Sequence, residues 1–166
     1  MKYNSIMKDF FELIRWNHWA KNVFVLAPLF FSGDYYDISN VVLVLKAFFI
    51  FCLVSSCVYI FNDLLDYEAD SAHNKKRLRP LPSGRISKPM AVLILSIMFI
   101  SACLLLHTLR MPINFIYVVL LYALINLVYS TGLKHIPVLE LILVSSGFVL
   151  RLVGGGEALS LSLIHI

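Results

Sequence analysis

The sequence predicts an all-α protein, a polytopic bundle of transmembrane helices. Three observations carry this. Of 166 residues, 60% are hydrophobic and 14% are charged, against roughly 25% charged in an ordinary soluble domain. The mean hydropathy is +0.82. Several apolar runs are long enough to cross a bilayer, and the basic residues gather between them. Such a chain lacks the polar side chains to cover a water-exposed core. Disorder and most soluble enzyme folds are excluded.

The elements follow in chain order. Residues 1–22 form an amphipathic, interfacial segment. Phe10, Phe11, Leu13, Ile14, Trp16 and Trp19 are interleaved with Lys2, Lys8, Arg15 and Lys21. Tryptophan beside basic residues favours the membrane interface. A secretory signal is not expected, because Asp9 and Glu12 break the basic-then-apolar order. The first apolar run, 23–31, is short for a span and needs the Trp19 region to reach about 20 residues. Ser32-Gly33-Asp34 ends it. The second run is 41–61, in which Lys46 is a snorkelling residue. The third is 90–106. The fourth, 113–129, follows Pro112, and the fifth, 138–153, follows Pro137. Proline at a helix start removes no hydrogen bond that the helix needs. In hydrocarbon every backbone group must be satisfied locally, so these runs are read as helices.

Loop charges orient the bundle. Lys75, Lys76, Arg77, Arg79, Arg85 and Lys88 lie between the second and third runs, and Lys134 follows the fourth. With the basic N-terminal segment they fall on one side of a five-span arrangement, which is then cytoplasmic. The opposite loops carry Asp34, Asp37 and a single arginine, Arg110. The net charge of +4 therefore reflects cytoplasmic loops and not a nucleic-acid partner. Cys52, Cys57 and Cys103 sit in apolar runs without metal-ligand spacing, and are read as lipid-buried thiols with no disulfide framework.

The chemistry lies at the end of the second run, in Asn62-Asp63-Leu64-Leu65-Asp66-Tyr67-Glu68-Ala69-Asp70. At about 100° per helical residue, Asn62, Asp63, Asp66 and Asp70 fall within an arc of roughly 100°, and Glu68 points nearly opposite. Three carboxylates on one face repel one another and need a cation. Carboxylates with an amide oxygen suit Mg²⁺ that retains waters and binds substrate phosphates. The plainer alternative is a solvated acidic helix end paired with nearby Lys and Arg. The basic stretch from His73 to Gly84 follows at once, including Lys76, Arg77 and Arg79. Alone it reads as a positive-inside loop; beside the carboxylate face it reads as a clamp for a Mg²⁺-bound diphosphate. Further polar residues sit at helix ends: Lys21 and Asn22, Tyr129 and Ser130, Lys134, and Arg151 inside the fifth run. An intramembrane arginine is paired or functional.

The Asn62-Asp63-x-x-Asp66-x-x-x-Asp70 pattern with the Arg79-Pro80 loop resembles the first aspartate-rich motif of the UbiA-type intramembrane prenyltransferase superfamily. Trp19-Ala20-Lys21-Asn22, Gly132-Leu133-Lys134-His135 and Val144-Ser145-Ser146-Gly147-Phe148-Val149-Leu150-Arg151 make it most similar to the decaprenyl-phosphate phosphoribosyltransferase branch. The likeness runs to about Gly156. Two features depart from it: Trp16, not proline, follows Arg15, and the chain holds about five of the superfamily's roughly nine helices, without its second acidic motif. The resemblance therefore implies a UbiA-like bundle over 23–156 with a catalytic loop at 62–88, and an atypical tail at 157–166 that suggests a truncated gene.

The resemblance also implies the reaction. 5-Phosphoribose would pass from 5-phosphoribosyl diphosphate to a polyprenyl phosphate of decaprenyl type, with Mg²⁺ as cofactor and pyrophosphate released. Asp63, Asp66 and Asp70, with Asn62, would hold the metal. Lys76, Arg77 and Arg79 would hold phosphate oxygens, and Lys21, Tyr129, Lys134 and Arg151 would touch donor or acceptor. The partners are the two substrates and the bilayer of the cell membrane, with room for a homo-oligomer; the site would face the cytoplasm. The fragment alone is expected to be inactive. Two other readings stay open: a prenyltransferase moving a polyprenyl group from its diphosphate to an aromatic acceptor, and a non-enzymatic membrane component.

Overall fold

The computed structural model describes residues 2–131 and 137–161. Its described residues form helices and turns. An N-terminal helix α1 (Lys2–Leu13) leads into a 3-10 helix (Trp16–Leu26), followed by α2 (Ala27–Ser32). After a short 3-10 turn (Asp34–Tyr36) come α3 (Ile38–Leu65) and α4 (Tyr67–Ala72). A third 3-10 turn (Lys76–Leu78) precedes α5 (Lys88–Thr108), α6 (Ile113–Ser130) and α7 (Pro137–Ala158).

Four helices are long and apolar enough to cross a membrane: Ile38–Leu65, Lys88–Thr108, Ile113–Ser130 and Leu141–Ala158. The protein is a multi-pass integral membrane protein. These helices match the second to fifth apolar runs to within a few residues. Local chemistry sets their starts. The Asp37 carboxylate accepts from the Ser39 N–H at 2.8 Å at the head of α3, and the Ser87 hydroxyl accepts from Met90 N–H at 3.4 Å at the head of α5. Pro112 caps α6, and Pro137 begins α7.

The first apolar run is continuous with the Trp19 region: a 3-10 helix of 11 residues starts at Trp16 and leads into α2. A 3-10 helix rises about 2.0 Å per residue against 1.5 Å in an α-helix. With α2 it therefore extends about 31 Å, close to the ~30 Å hydrocarbon thickness. With three residues per turn, positions three apart share a face. Trp19, Asn22 and Val25 form one such stripe, and it lies on α3. Trp19 Nε1 donates to Ser56 Oγ at 3.0 Å, and Asn22 Nδ2 donates to Ser55 Oγ at 3.2 Å.

Helix α3 is central and packs against the 3-10 segment, α5, α6 and α7. One buried cluster gathers Val25, Ala47, Ile50, Phe51, Phe115, Val119, Tyr122 and Leu150. Phe51 meets Phe115 and Tyr122 edge-on, with ring centroids 5.9 and 5.5 Å away; such pairs add about 0.5–1.5 kcal/mol each beyond area burial. Gly154 leaves room for this ring, since a Cβ there would lie 2.7 Å from Phe51. Gly155 lets α7 approach the Val25 carbonyl closely enough that a Cβ would collide with it. Small residues at helix contacts are the usual means of close packing in lipid. A second cluster (Leu13, Ile14, Cys57, Ile60, Leu81, Ile86, Ala91 and Met98) ties the end of α1 and the loop before α5 to the end of α3.

Candidate functional site

The acidic residues stand where α3 gives way to α4. Asp66 ends α3 with φ −88° and ψ 9°. Backbone bonds continue across this junction, from Asp66 N to Asn62 O at 2.9 Å and from Asp70 N to Asp66 O at 2.8 Å. The helical register is thereby preserved, and Asp63 and Asp70 turn to the same side. Both are buried, at 2% and 1% exposure. Asp66 is half-buried.

The two buried carboxylates share one guanidinium. Arg79 Nη1 lies 3.2 Å from Asp63 Oδ1 and 2.7 Å from Asp70 Oδ2. Lys76 Nζ stands 3.2 Å from Asp70 Oδ1. Arg15 Nη2 reaches Asp63 Oδ1 at 2.5 Å, and its guanidinium lies 4.7 Å from the Tyr59 ring centroid. Unpaired buried carboxylates would carry a desolvation cost of several kcal/mol each; here three cations offset them. Arg77 is exposed and makes no side-chain bond among the described residues. The structure thus joins Lys76 and Arg79 to the acids and leaves Arg77 outside. Lys134 lies outside the described residues.

Two adjoining cavities open on this cluster. One, of about 260 Å³, is lined by Glu12, Arg15, His18, Asp63, Arg79 and Pro80, among others. The second, of about 320 Å³, includes Arg15, Lys21, Asn62, Tyr122, Tyr129 and Arg151 in its lining. Arg15 and His18 line both. Lys21, Tyr129 and Arg151, far apart in sequence, are thus brought together, and Asn62 faces their cavity instead of that of Asp63.

Among the described residues no three His, Cys, Asp or Glu side chains gather as a ready metal cage. The donor chemistry nonetheless fits Mg²⁺, which is bound through one or two carboxylates together with waters and substrate phosphates. Among the described residues Asn62 Oδ1 has no hydrogen-bond partner, although it is buried. A buried orphan acceptor of this kind is rare and costs about 1–3 kcal/mol, and a hard cation or its water would satisfy it.

Arg15 was not legible as a site residue from its sequence position. It adopts φ 52° and ψ 48° between α1 and the 3-10 helix. A non-glycine residue in the left-handed region is strained by about 1–3 kcal/mol, and such strain clusters at functional sites. The available signal was the spacing Arg15-x-x-His18-x-x-Lys21, which falls on one face only when the helix has three residues per turn. Tyr59 and Tyr122 were likewise hidden among apolar neighbours.

The profile of the UbiA prenyltransferase family matches residues 23–164. A decaprenyl-phosphate phosphoribosyltransferase of Mycolicibacterium smegmatis is 36% identical, over 96% of this chain and 51% of its own. One from Corynebacterium glutamicum is also 36% identical, over 92% of this chain and 46% of its own. The chain spans about half the length of the curated relatives it matches. A solved structure from work on digeranylgeranylglyceryl phosphate synthase in membranes superposes with a TM-score of 0.78 at 24% identity, over 92% of this chain and 53% of the other. It supports the fold alone.

Proposed function

The chain belongs to the UbiA prenyltransferase family, and from that premise we propose that it serves phosphoribosyl transfer. The donor is 5-phosphoribosyl diphosphate, the acceptor a polyprenyl phosphate of decaprenyl type, and the second product pyrophosphate. The observation that carries this reading is the pair of buried carboxylates, Asp63 and Asp70, spanned by Arg79. The relatives' names support the choice of substrates.

Asp63, Asp66 and Asp70 would hold Mg²⁺, with Asn62, whose Oδ1 faces the adjoining cavity, assisting through a bound water. When bound, Mg²⁺ neutralises charge that builds on a departing diphosphate. Arg79, Lys76 and Arg15 exchange their carboxylate partners for phosphate oxygens as the donor enters, and Arg77 extends the clamp from the surface. Lys21, Tyr129, Lys134 and Arg151 supply further donor or acceptor contacts. In the transfer, the bond from the anomeric carbon to the diphosphate oxygen breaks and a bond to an acceptor phosphate oxygen forms. That acceptor oxygen is already anionic at neutral pH, so no side chain need remove a proton. The site faces the cytoplasm of a cell-membrane protein, on the basic side of the bundle.

The test supplies membranes bearing the full-length protein with radiolabelled 5-phosphoribosyl diphosphate or polyprenyl diphosphate. Label from the first should enter the lipid fraction in a Mg²⁺-dependent manner, and Asp66→Ala should abolish it. Label accepted only from the prenyl donor, or turnover by Asp66→Ala with unchanged Mg²⁺ dependence, would contradict the proposal.

A further inference from the structure

Helix α1 carries an apolar stripe that outruns the protein. At about 100° per residue, Ile6, Met7, Phe10, Phe11, Leu13 and Ile14 fall within an arc of roughly 160°, and Asp9 and Glu12 lie opposite its centre. The helical bonding reaches Ile14, whose N–H donates to the Phe10 carbonyl at 3.1 Å. At this end the stripe packs on the bundle. Leu13 and Ile14 are 0% and 2% exposed, in a cluster that also holds Ile60 of α3 and Ala91 and Met98 of α5. About two turns earlier, Ile6 and Met7 point the same way. They are 63% and 50% exposed.

The level at which the stripe lies points to lipid. Met98 belongs to a helix that crosses the membrane, so the packed end of the stripe meets the bundle where α5 enters hydrocarbon, and the open end continues from it. Phe11 and Trp16, with ring centroids 6.3 Å apart, border the stripe beside Lys8, Glu12 and Asn17 in an open groove of about 680 Å³. Exposed aromatic rings next to a lysine that can snorkel suit the head-group level of a bilayer. Lys8, Lys75, Arg77 and Lys88 are all exposed at this end of the bundle, and such a set is complementary to an anionic lipid surface. The opposite face of α1 is bound to the protein. Asp9 and Glu12 hold Arg85, which also donates to the carbonyl of Leu78 at 2.7 Å, the residue before Arg79.

We infer that α1 docks by this stripe on an anionic phospholipid surface, and that the docked helix, through Arg85, holds the loop that presents Arg79 to Asp63 and Asp70. Ile6 and Met7 enter the acyl boundary, Phe11 and Trp16 lie among the head groups, and Lys8 reaches lipid phosphate. The acidic face then keeps Arg85, and with it the Leu78 carbonyl, in place. A helix detached from lipid leaves Arg85 tied only to a mobile partner, and the loop loosens with it. The lipid is a surface and not a substrate, so α1 docks whichever reaction the site performs.

The experiment uses the purified protein in nanodiscs of phosphatidylcholine, alone or mixed with phosphatidylglycerol. In a background with Cys52, Cys57 and Cys103 replaced, nitroxide labels are placed at Met7→Cys, at Ile97→Cys on the exposed side of α5 and at Ser83→Cys in the loop. Their collisions with oxygen and with a water-soluble nickel chelate are compared. The label at position 7 should favour oxygen, as that at 97 does, and the label at 83 should favour nickel. A label at position 7 that favours nickel, or spin coupling between such labels on separate copies, would overturn the docking. Trypsin reads the coupling to the loop. Phosphatidylglycerol should slow cleavage after Lys75, Lys76 and Arg77 by about fivefold, the contribution of one lysine at an anionic surface, because cleavage follows the open population. Lys8→Gln should remove most of that slowing. Met7→Asp and Arg85→Ala should abolish it, the second with the label at position 7 still in lipid. Slowing that persists in both would mean that the loop meets lipid unaided, and would overturn the coupling.

Discussion

Asp63 and Asp70 owe their burial to Arg79, because a single nitrogen satisfies one oxygen of each. Arg79→Ala leaves two carboxylates close together with fewer cations. The donor KM should rise by about tenfold or more, since the loss of a charge-assisted bond to phosphate costs about 1.5–3 kcal/mol. The acceptor KM should stay as it was. Steady-state kinetics with each substrate varied in turn measures this, and an effect confined to the acceptor would contradict the clamp. Arg79→Lys should recover little, because a single ammonium lacks the planar fork. The acids themselves were legible in the sequence, since their spacing alone places them on one helical face and the backbone keeps that register through Asp66. Arg15 was not, because its approach to Asp63 depends on a left-handed turn that no residue type at that position announces.

Among the elements, the 3-10 segment is the one on which both cavities depend. Its three-residue repeat sends Trp19, Asn22 and Val25 to α3 and Arg15, His18 and Lys21 to the cavities. Apolar periodicity could not reveal it, because the pattern from Trp16 to Asn22 reads equally as an interfacial helix. Its seat against α7 is set by Gly155, so Gly155→Ala should shift backbone and not merely a side chain. Thermal unfolding in detergent should begin several degrees lower than in the parent protein; an unchanged midpoint would show that the contact is slack. Helix α1 is held differently. Arg85 pairs with Asp9 and Glu12 of α1 and donates to the Leu78 carbonyl at 2.7 Å, next to Arg79. The hydrogen bonds that Arg85 donates to Glu12 raise its pKa above the usual arginine value, with the Glu12 and Asp9 charges adding to it. Arg85→Ala should free the loop and speed tryptic cleavage after Lys75, Lys76 and Arg77, as read by mass spectrometry of timed digests. Equal cleavage rates would mean that α1 does not brace it.

For the molecule as a whole, the spans were the most legible feature. Apolarity over some 20 residues is a bulk property that lipid reads directly, and α3, α5, α6 and α7 lie where the apolar runs are. The sequence could not give the cavities, because they form from residues as distant as Asn22 and Arg151, joined only once α7 lies on the 3-10 segment. In the proposed orientation, with the basic loops on the cytoplasmic side, Ser83 faces the cytoplasm. In a background with Cys52, Cys57 and Cys103 replaced, Ser83→Cys should react with an impermeant maleimide in inverted vesicles and be protected in intact cells. The reverse pattern would turn the site outward.

The most direct measurement is equilibrium binding of labelled 5-phosphoribosyl diphosphate to the purified protein in nanodiscs, with Mg²⁺ and with EDTA. Binding should require Mg²⁺ and should be lost in Asp63→Asn and in Asp70→Asn. Equal binding in EDTA, or affinity untouched by both substitutions, would show that these carboxylates do not hold a metal-bound diphosphate.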